Sequence, residues 1–183
     1  MKFDDYKDTI LPNSMFGETA QVCIVTRDLD ALLRTYVEDF GIGPWWVQEY
    51  KAPELTDTTF RGRPGTFSMR LALAWTGRLN WELIQPLDGP SIYHEFLDTR
   101  GEGMQHVGVT LKDMGMDWDA CYAAFRARGM EPIQEGRWGG VRFCYFDTEG
   151  PARIVFEVID RPEGWERPAP LFWYPEPSAA GGG

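Results

Sequence analysis

Apolar and polar residues alternate in short runs along the chain, and one such unit occurs twice. Residues 21–29 (QVCIVTRDL) align without a gap with residues 106–114 (HVGVTLKDM). Each segment has a polar residue, an apolar run rich in β-branched residues, a basic residue followed by aspartate, and then apolar residues at helical spacing. The apolar run predicts a strand, and the helical spacing predicts an amphipathic helix. The repeat therefore predicts a strand, a turn and a helix in each half of the chain.

Cap and turn residues predict the ends of both helices. Asp28 and Asp113 are placed as N-caps, because an aspartate side chain accepts hydrogen bonds from the free N–H groups of the first turn. Gly41 and Gly129 are placed where the helices end, since glycine readily adopts the left-handed conformation. Further strands are predicted at residues 45–51, 67–75, 79–85, 132–135, 141–146 and 153–160.

Each half is thus predicted as β-α-β-β-β, so the fold class is α+β: two tandem βαβββ modules forming a cupped eight-stranded mixed sheet with helices outside. The predicted regions are an N-terminal extension (1–18), a first module (19–87), a connecting helix (88–102), a second module (103–160) and a tail (161–183). Residues 52–65 are polar and turn-rich, which predicts a long loop. The tail is rich in proline and aromatic residues, which predicts irregular structure with a disordered glycine-rich end.

Two predicted strands each carry one glutamate among apolar residues. The segments WELI (81–84) and FEVI (156–159) share the order aromatic, glutamate, aliphatic, isoleucine. A solvent-facing glutamate is the simpler interpretation of either strand alone, because a buried carboxylate needs a partner. Both glutamates, however, lie in the last strand of a module, and Gln21 and His106 begin the two first strands.

If the modules pair around a pseudo-twofold axis, Gln21, Glu82, His106 and Glu157 surround one point. Two carboxylates, an imidazole and an amide oxygen suit a divalent cation such as Zn, Ni, Co, Mn or Fe(II). Structural roles, in which the glutamates face water and His106 makes an ordinary hydrogen bond, are the alternative for each residue taken singly. The matched positions in the repeat favour a metal site.

The amino-acid composition limits the classes of molecule that the protein is expected to bind. A formal net charge of −10 disfavours nucleic acid and anionic membrane surfaces. The three cysteines form no CxxC motif, and no apolar run has the length of a signal peptide or a membrane span, so a soluble cytoplasmic protein is expected. Aromatic residues make up 14% of the chain and are equally compatible with a core and with pocket walls. The candidate pocket residues are Cys23, Trp46, Phe67, Met69, Arg70, Trp75 and Tyr145.

Five segments resemble the vicinal oxygen chelate superfamily, which includes glyoxalase I, methylmalonyl-CoA epimerase, extradiol dioxygenases and bleomycin-resistance proteins. They are QVCIVTRDLDALL, FGIGPW, ELIQPLDGPSIYHEFL, GMQHVGVTLKDM and FDTEGPARIVFEVID, and the likeness extends over about residues 19–160, nearest the epimerase-like branch. The resemblance implies paired βαβββ modules around a metal held by Gln21, Glu82, His106 and Glu157. The order Gln, Glu, His, Glu resembles the zinc-type glyoxalase I set and differs from the epimerase pattern, which has histidine first and glutamine second.

The resemblance also implies a metal-dependent isomerase, epimerase or lyase that removes a proton next to a metal-bound carbonyl and stabilises an enediolate. Glu157 is the first choice for the base and Glu82 the second. The expected partner is a small, partly apolar or aromatic carbonyl substrate, and a homodimer is expected. The alternatives are a non-catalytic protein that binds or sequesters a small molecule, and an Fe(II) dioxygenase, which glutamine in place of histidine at position 21 disfavours.

Overall fold

A computed structural model describes residues 14–16 and 19–177 of the chain. Its helices are α1 Leu29–Glu38, α2 Ile92–Arg100, α3 Leu111–Met114, α4 Trp118–Arg126 and α5 Glu149–Ala152. Its strands are β1 Gln21–Val25, β2 Trp45–Tyr50, β3 Leu55–Phe60, β4 Arg63–Pro64, β5 Met69–Thr76, β6 Leu79–Pro86, β7 Gly103–Thr110, β8 Pro132–Trp138, β9 Val141–Phe146, β10 Val155–Asp160 and β11 Phe172–Tyr174.

All described strands belong to one mixed sheet of 11 strands, in the order β11-β2-β5-β6-β1-β7-β10-β9-β8-β3-β4. The predicted α+β class and mixed sheet are confirmed. The eight predicted strands form the middle of this sheet, and their order on one side of the β1–β7 contact mirrors the order on the other. Strands β1 and β7 pair antiparallel, whereas β1 with β6 and β7 with β10 pair parallel.

The two faces of the sheet belong to different apolar clusters. On the outer face, α1 packs on residues of β2, β5 and β6, and α4 packs on residues of β7, β9 and β10. On the inner face, alternate residues of the same strands join α2 in the third cluster. Strand residues alternate between the two faces of the sheet. The strand register therefore determines which face Gln21, Glu82, His106 and Glu157 occupy.

The caps of the two long outer helices only partly match the prediction. Asp28 caps α1 by accepting a hydrogen bond from the N–H of Ala31 at 2.9 Å. Asp113 does not cap α4. It lies inside the short helix α3, which Gly115 ends with a φ of 63°. Asp117 is the N-cap of α4 and accepts from the N–H of Ala120 at 2.8 Å.

The glycines placed at the helix ends, Gly41 and Gly129, have φ values of 66° and 75°. After α4, the N–H of Gly129 binds the carbonyl of Arg126 and the N–H of Met130 binds that of Phe125, the bonding pattern of a Schellman cap. Both predicted helix ends are therefore confirmed.

Two segments predicted to be irregular contain strands. Within the predicted loop 52–65, β3 pairs antiparallel with β8, and β4 pairs with β3, so this polar segment forms one edge of the sheet. Within the tail, β11 pairs antiparallel with β2 and forms the other edge. Polar edge strands are missed by sequence patterns because their stability comes from hydrogen bonds to a distant strand. Most of the predicted extension 1–18, and the predicted disordered end 178–183, lie outside the described residues.

We expect Asp117→Ala to lower the free energy of unfolding by about 1 kcal/mol, because the first turn of α4 loses the acceptor for one of its free N–H groups. The matched control is Asp113→Ala, whose carboxylate accepts from the neighbouring Thr110 hydroxyl at 2.6 Å on the protein surface. Urea titration followed by circular dichroism measures both variants. A larger loss for Asp113→Ala than for Asp117→Ala would contradict this assignment of the cap.

Candidate metal centre

Four neighbouring strands at the centre of the sheet each contribute one buried polar side chain to the same place: Gln21 from β1, Glu82 from β6, His106 from β7 and Glu157 from β10. The strand pairing arranges the inner-face residues in two rows, Gln21–Gly108–Glu157 and Glu82–Cys23–His106. Side chains directly opposite each other on neighbouring strands lie about 5 Å apart at Cβ. The register therefore brings the four predicted residues together.

The two carboxylates converge on the same two nitrogen atoms. Nε2 of Gln21 donates 2.9 Å hydrogen bonds to Oε2 of both Glu82 and Glu157. Nε2 of His106 lies 3.1 Å from Oε2 of Glu82 and 3.4 Å from Oε2 of Glu157. Two buried carboxylates repel each other and lose their hydration, so this arrangement requires positive charge and N–H donors between them.

Gln105 orients the ring of His106. Its Oε1 accepts a hydrogen bond from Nδ1 of His106 at 2.6 Å, which leaves Nε2 facing the carboxylates. Neighbouring strand residues normally point to opposite faces, but the β1–β7 register is irregular here: Cys23 pairs with His106, and Ile24 pairs with Met104. Gln105 is the extra residue of this bulge. The bulge thus places a hydrogen-bond acceptor beside the imidazole.

Burial and neighbouring charges shift the pKa values of Glu82 and His106. Burial raises the pKa of the Glu82 carboxyl above 4.5, while the hydrogen bond from His106 opposes the rise and the charge on Glu157 adds to it. Burial by itself would lower the pKa of His106, but the hydrogen bonds and charges of Glu157 and Glu82 outweigh it and raise the value from 6.5 to about 9. In the metal-free protein, the imidazolium therefore supplies the positive charge at neutral pH.

Cys23 and Gly108 occupy equivalent positions in the two rows but differ in volume. The pKa of the Cys23 thiol is raised well above 9.0 by burial and by the charges of Glu82 and Glu157, so the thiol keeps its proton. Its sulfur and the ligand atoms of Glu82 and His106 lie within 4.8 Å of one another and form a group that could hold a metal ion. At Gly108, a Cβ would lie 2.9 Å from Cβ of Gln21 and 3.2 Å from Oε2 of Glu157. The absence of a side chain there leaves room for the Glu157 carboxylate.

The polar cluster opens into a cavity on the inner face of the sheet. Gln21, Glu82 and Glu157 form part of its wall, with about 50 Å³ of free space beside them. That volume holds a few water molecules or one small chemical group. Alternate residues of β5 and β9 line much of the remaining wall, as expected for one face of a sheet: Met69, Leu71, Leu73, Val141, Phe143 and Tyr145.

Four of the predicted pocket residues lie at or near this cavity. Met69 and Tyr145 line it. Trp46 and Trp75 pack against the guanidinium of Arg167, whose central carbon lies 5.3 and 4.7 Å from the two ring centroids. Arg167 itself lines the cavity. The two tryptophans therefore support a residue that lines the cavity but do not line it themselves.

The other three predicted pocket residues do not line the cavity. Cys23 is fully buried within the polar cluster, and Phe67 packs in the inner apolar cluster. Arg70 falls on the opposite face of β5, because it alternates with the cavity-lining residues on either side. Its guanidinium binds the carboxylate of Asp30 on α1 at 2.7 Å. The structure thus places Arg70 away from the cavity.

Sequence patterns did not identify Gln105 or three cavity-lining residues of the tail, Arg161, Trp165 and Arg167. The role of Gln105 depends on a bulge that no periodic pattern reveals. The tail carries a usable signal, since its arginines lie among aromatic residues in a segment too rich in proline for regular structure. Which part of the body it contacts follows only from the folded chain.

A comparison with protein-family models matches residues 20–145 to the glyoxalase/bleomycin resistance protein/dioxygenase superfamily. The match covers more than half of the chain and includes β1, β6 and β7, which carry three of the four polar residues. A comparison with curated proteins finds no match.

Solved structures with the same fold include several methylmalonyl-CoA epimerases. The enzyme from Mycobacterium tuberculosis is 20% identical, with a TM-score of 0.58 over 84% of this chain and 94% of that chain. A Streptomyces coelicolor methylmalonyl-CoA epimerase in complex with 2-nitronate-propionyl-CoA is also 20% identical, with a TM-score of 0.56 over 80% and 98%. A hypothetical protein from Bacillus halodurans is 16% identical, with a TM-score of 0.57 over 82% and 98%. At these identities the likeness establishes the fold.

Helices with the length and apolar character of a membrane span are absent from the described part of the chain.

We expect the metal-free protein to lose stability as the pH rises from about 6.5 to about 9. The pKa of His106 is higher in the folded state, so its contribution is complete below the unfolded value of 6.5 and disappears as the pH passes about 9. The expected loss reaches up to about 3 kcal/mol, since one pKa unit corresponds to about 1.4 kcal/mol.

Urea titrations at several pH values in the presence of a chelator measure this loss. The comparison is with His106→Gln, which still presents a side-chain amide but has no group that titrates in this range. Because the cysteines of the unfolded chain also titrate in this range, the quantity to follow is the difference between the two proteins. A difference that stays constant across the range would contradict the assignment.

Proposed function

Since the chain belongs to the glyoxalase/bleomycin resistance protein/dioxygenase superfamily, we propose that it uses a divalent metal ion to remove a proton from the carbon next to a substrate carbonyl. The observation that carries the proposal is the convergence of Oε2 of Glu82 and Oε2 of Glu157 on Gln21 and His106. Proteins keep two buried carboxylates this close where a cation or a shared proton compensates them.

The chemistry of the donor set fits a divalent ion. Glu82, His106 and Glu157 would bind it through Oε2, Nε2 and Oε2. Gln21, whose Nε2 faces the acids in the metal-free protein, would bind through its carboxamide oxygen after its amide group turns over. One imidazole, two carboxylates and an amide suit Zn, Ni, Co, Mn or Fe(II). The space beside Gly108 and the hydrogen bond that holds Nε2 of His106 toward the acids both support this assignment.

When bound, the ion would act as a Lewis acid on a carbonyl oxygen. Glu157 is the proposed base. It lies in the cavity wall, and its only hydrogen bond shorter than 3.2 Å among the described residues comes from Gln21. Glu82, which has short contacts to both Gln21 and His106, would return a proton to the substrate. It lies in the row of inner-face residues next to that of Glu157.

The hydroxyl of Tyr145 is also placed to serve the reaction. Tyr145 lies directly opposite Glu157 on the neighbouring strand and lines the cavity. It accepts a hydrogen bond from Tyr93 at 2.7 Å, and burial raises the pKa of both tyrosines well above 10.0. Both hydroxyls therefore keep their protons, and that of Tyr145 can donate to an oxygen atom of the substrate.

The position that receives the returned proton would determine the reaction class. Return to the same carbon from the opposite side yields an epimer, return to the neighbouring carbon yields an isomer, and loss of a β-substituent makes the enzyme a lyase. The cavity volume of about 50 Å³ favours a small substrate. A homodimer, a cytoplasmic location and the absence of nucleic-acid partners stay predictions from the sequence.

We expect Glu157→Gln to slow proton exchange at the carbon next to the carbonyl by about 10²- to 10⁴-fold, because it removes the base. Deuterium incorporation from heavy water, followed by nuclear magnetic resonance, measures this in a panel of short-chain ketones, 2-oxo acids and hydroxyaldehydes. Glu49→Gln is the matched control, since Glu49 lies on β2 outside the cavity and pairs with Lys51.

Wild-type exchange that survives Glu157→Gln would contradict the proposed base. If the panel binds but neither protein exchanges protons, and the purified protein contains no stoichiometric metal, the proposed enzyme is excluded in favour of a ligand-sequestering protein. Oxygen uptake with a catechol and Fe(II) would instead indicate the dioxygenase.

We expect Gln105→Leu to weaken metal affinity by about 10- to 100-fold while leaving every proposed ligand in place, because Nδ1 of His106 loses its acceptor. Competition against a chromophoric chelator measures the dissociation constant. Gln134→Leu is the matched control, since Gln134 is equally buried but binds the N–H of Ile92 away from the cluster. Equal metal affinities in wild type and Gln105→Leu would show that the imidazole needs no such support.

A further inference from the structure

The tail from Arg161 to Tyr174 crosses the inner face of the sheet and covers part of the cavity. Nε1 of Trp165 donates to the carbonyl of Gly139 at 2.7 Å, and Nε1 of Trp46 donates to the carbonyl of Pro168 at 2.9 Å. The N–H of Leu171 then binds the carbonyl of Val47, and β11 continues this pairing along β2. These hydrogen bonds hold the tail at both ends of its crossing.

The crossing segment brings two arginines to the cavity wall. Arg161 and Arg167 line the cavity together with Gln21, Glu82 and Glu157. The guanidinium carbon of Arg167 lies 4.7 to 5.3 Å from the ring centroids of three tryptophans, Trp46, Trp75 and Trp165. That of Arg161 lies 5.7 Å from the ring of Trp165. Aromatic rings occupy the face of a planar guanidinium and leave the N–H groups at its edge free to donate.

Neither arginine has a carboxylate partner among the residues that the structure describes, although the chain has a net charge of −10. Arginines elsewhere on the surface do find one, as Arg27 does with Asp98 and Arg126 with Glu131. Burial and the nearby charge of Arg161 lower the pKa of Arg167. Two like charges in a partly enclosed space are unfavourable without an anion between them.

The acids of the polar cluster do not satisfy this requirement. Oε2 of Glu82 and Oε2 of Glu157 are already bound to Gln21 and His106, and no ion pair joins either acid to an arginine among the described residues. If a divalent ion occupies the cluster, as proposed above, it neutralises the two carboxylates. The two guanidinium charges then remain in the same cavity without compensation.

We infer that Arg161 and Arg167 bind a carboxylate group of the substrate, which makes the substrate a small carbonyl compound that is also a carboxylic acid. That the substrate is a carbonyl compound rests on the proposed function. That it carries a carboxylate rests on the two arginines. Arginine matches a carboxylate with two parallel hydrogen bonds, and the planar group of three atoms suits a cavity of about 50 Å³ better than a tetrahedral phosphate does. The tail thus supplies substrate recognition, while the sheet supplies the reacting groups.

Binding of pyruvate, its neutral analogue pyruvamide and inorganic phosphate to the chelator-treated protein tests the inference, measured by titration calorimetry. We expect pyruvate to bind more tightly than pyruvamide or phosphate. Arg161→Gln and Arg167→Gln should each weaken pyruvate binding by about 10- to 100-fold, the value of a hydrogen bond to a charged group. Arg167→Lys, which keeps the charge but loses the paired hydrogen bonds, should give an intermediate affinity.

Arg142→Gln is the matched control, because the guanidinium of Arg142 also lies over a tryptophan, Trp118, at 3.7 Å but outside this cavity. Near-ultraviolet circular dichroism reports whether the tryptophan cluster survives each substitution. If the Arg167→Gln spectrum changes, Arg161→Gln carries the test, since the guanidinium of Arg161 lies over one ring of that cluster, Trp165 at 5.7 Å, whereas that of Arg167 lies between all three.

Equal affinities for pyruvate and pyruvamide, no saturable binding of pyruvate, an arginine-dependent preference for phosphate, or pyruvate affinity unchanged in both glutamine variants would each overturn the inference. Its failure is distinguishable from that of the proposed function. Arginine-dependent pyruvate binding without metal binding or proton exchange contradicts the proposed function alone. Proton exchange that is as fast in pyruvamide as in pyruvate contradicts the carboxylate inference alone.

Discussion

The close approach of two buried carboxylates is the constraint on which the rest of the structure depends. Glu82 and Glu157 share the same hydrogen-bond donor and lie against the same imidazole nitrogen, at the centre of a sheet whose surroundings are apolar. Such a pair is stable only with compensating positive charge, which an imidazolium provides in the metal-free protein and a divalent ion would provide in the proposed enzyme. The repulsion between the two buried carboxylates destabilises the core, and the same concentration of negative charge gives the site affinity for a cation.

The doubled topology meets this requirement through strand register. Because β1 and β7 pair antiparallel at the centre, and each pairs parallel with the strand that carries a glutamate, two equivalent rows of three residues lie side by side. The rows differ where the two modules differ in sequence: histidine in one corresponds to glutamine in the other, and Cys23 corresponds to Gly108. Cys23 fills the space beside one glutamate, whereas Gly108 has no side chain and leaves room for the carboxylate of the other. This asymmetry lets the two acids take different roles in the proposed reaction.

The tail covers part of this open face and so partly encloses the site. It crosses the inner face, pairs with the edge strand β2 and holds two arginines and a tryptophan over the polar cluster. Enclosure lowers the local dielectric constant and strengthens each charge interaction inside the cavity. The solved epimerases share the fold at about 20% identity, and a shared fold does not by itself specify a substrate. In this chain, the tail carries the two arginines that we propose select the substrate.

The sequence by itself determined the features that depend on local pattern. Strand periodicity and the internal repeat predicted the eight central strands, the helix-ending glycines and the four polar residues that the folded chain brings together, because each module repeats the same local rules. The edge strands β3, β4 and β11, the bulge at Gln105, the helix break before Asp117 and the outward face of Arg70 were not predicted. Each depends on which distant segment supplies a hydrogen bond or a charge, or on how two distant strands align when they pair. Only the tertiary structure decides such pairings, since their free energy arises from contacts between residues far apart in the chain.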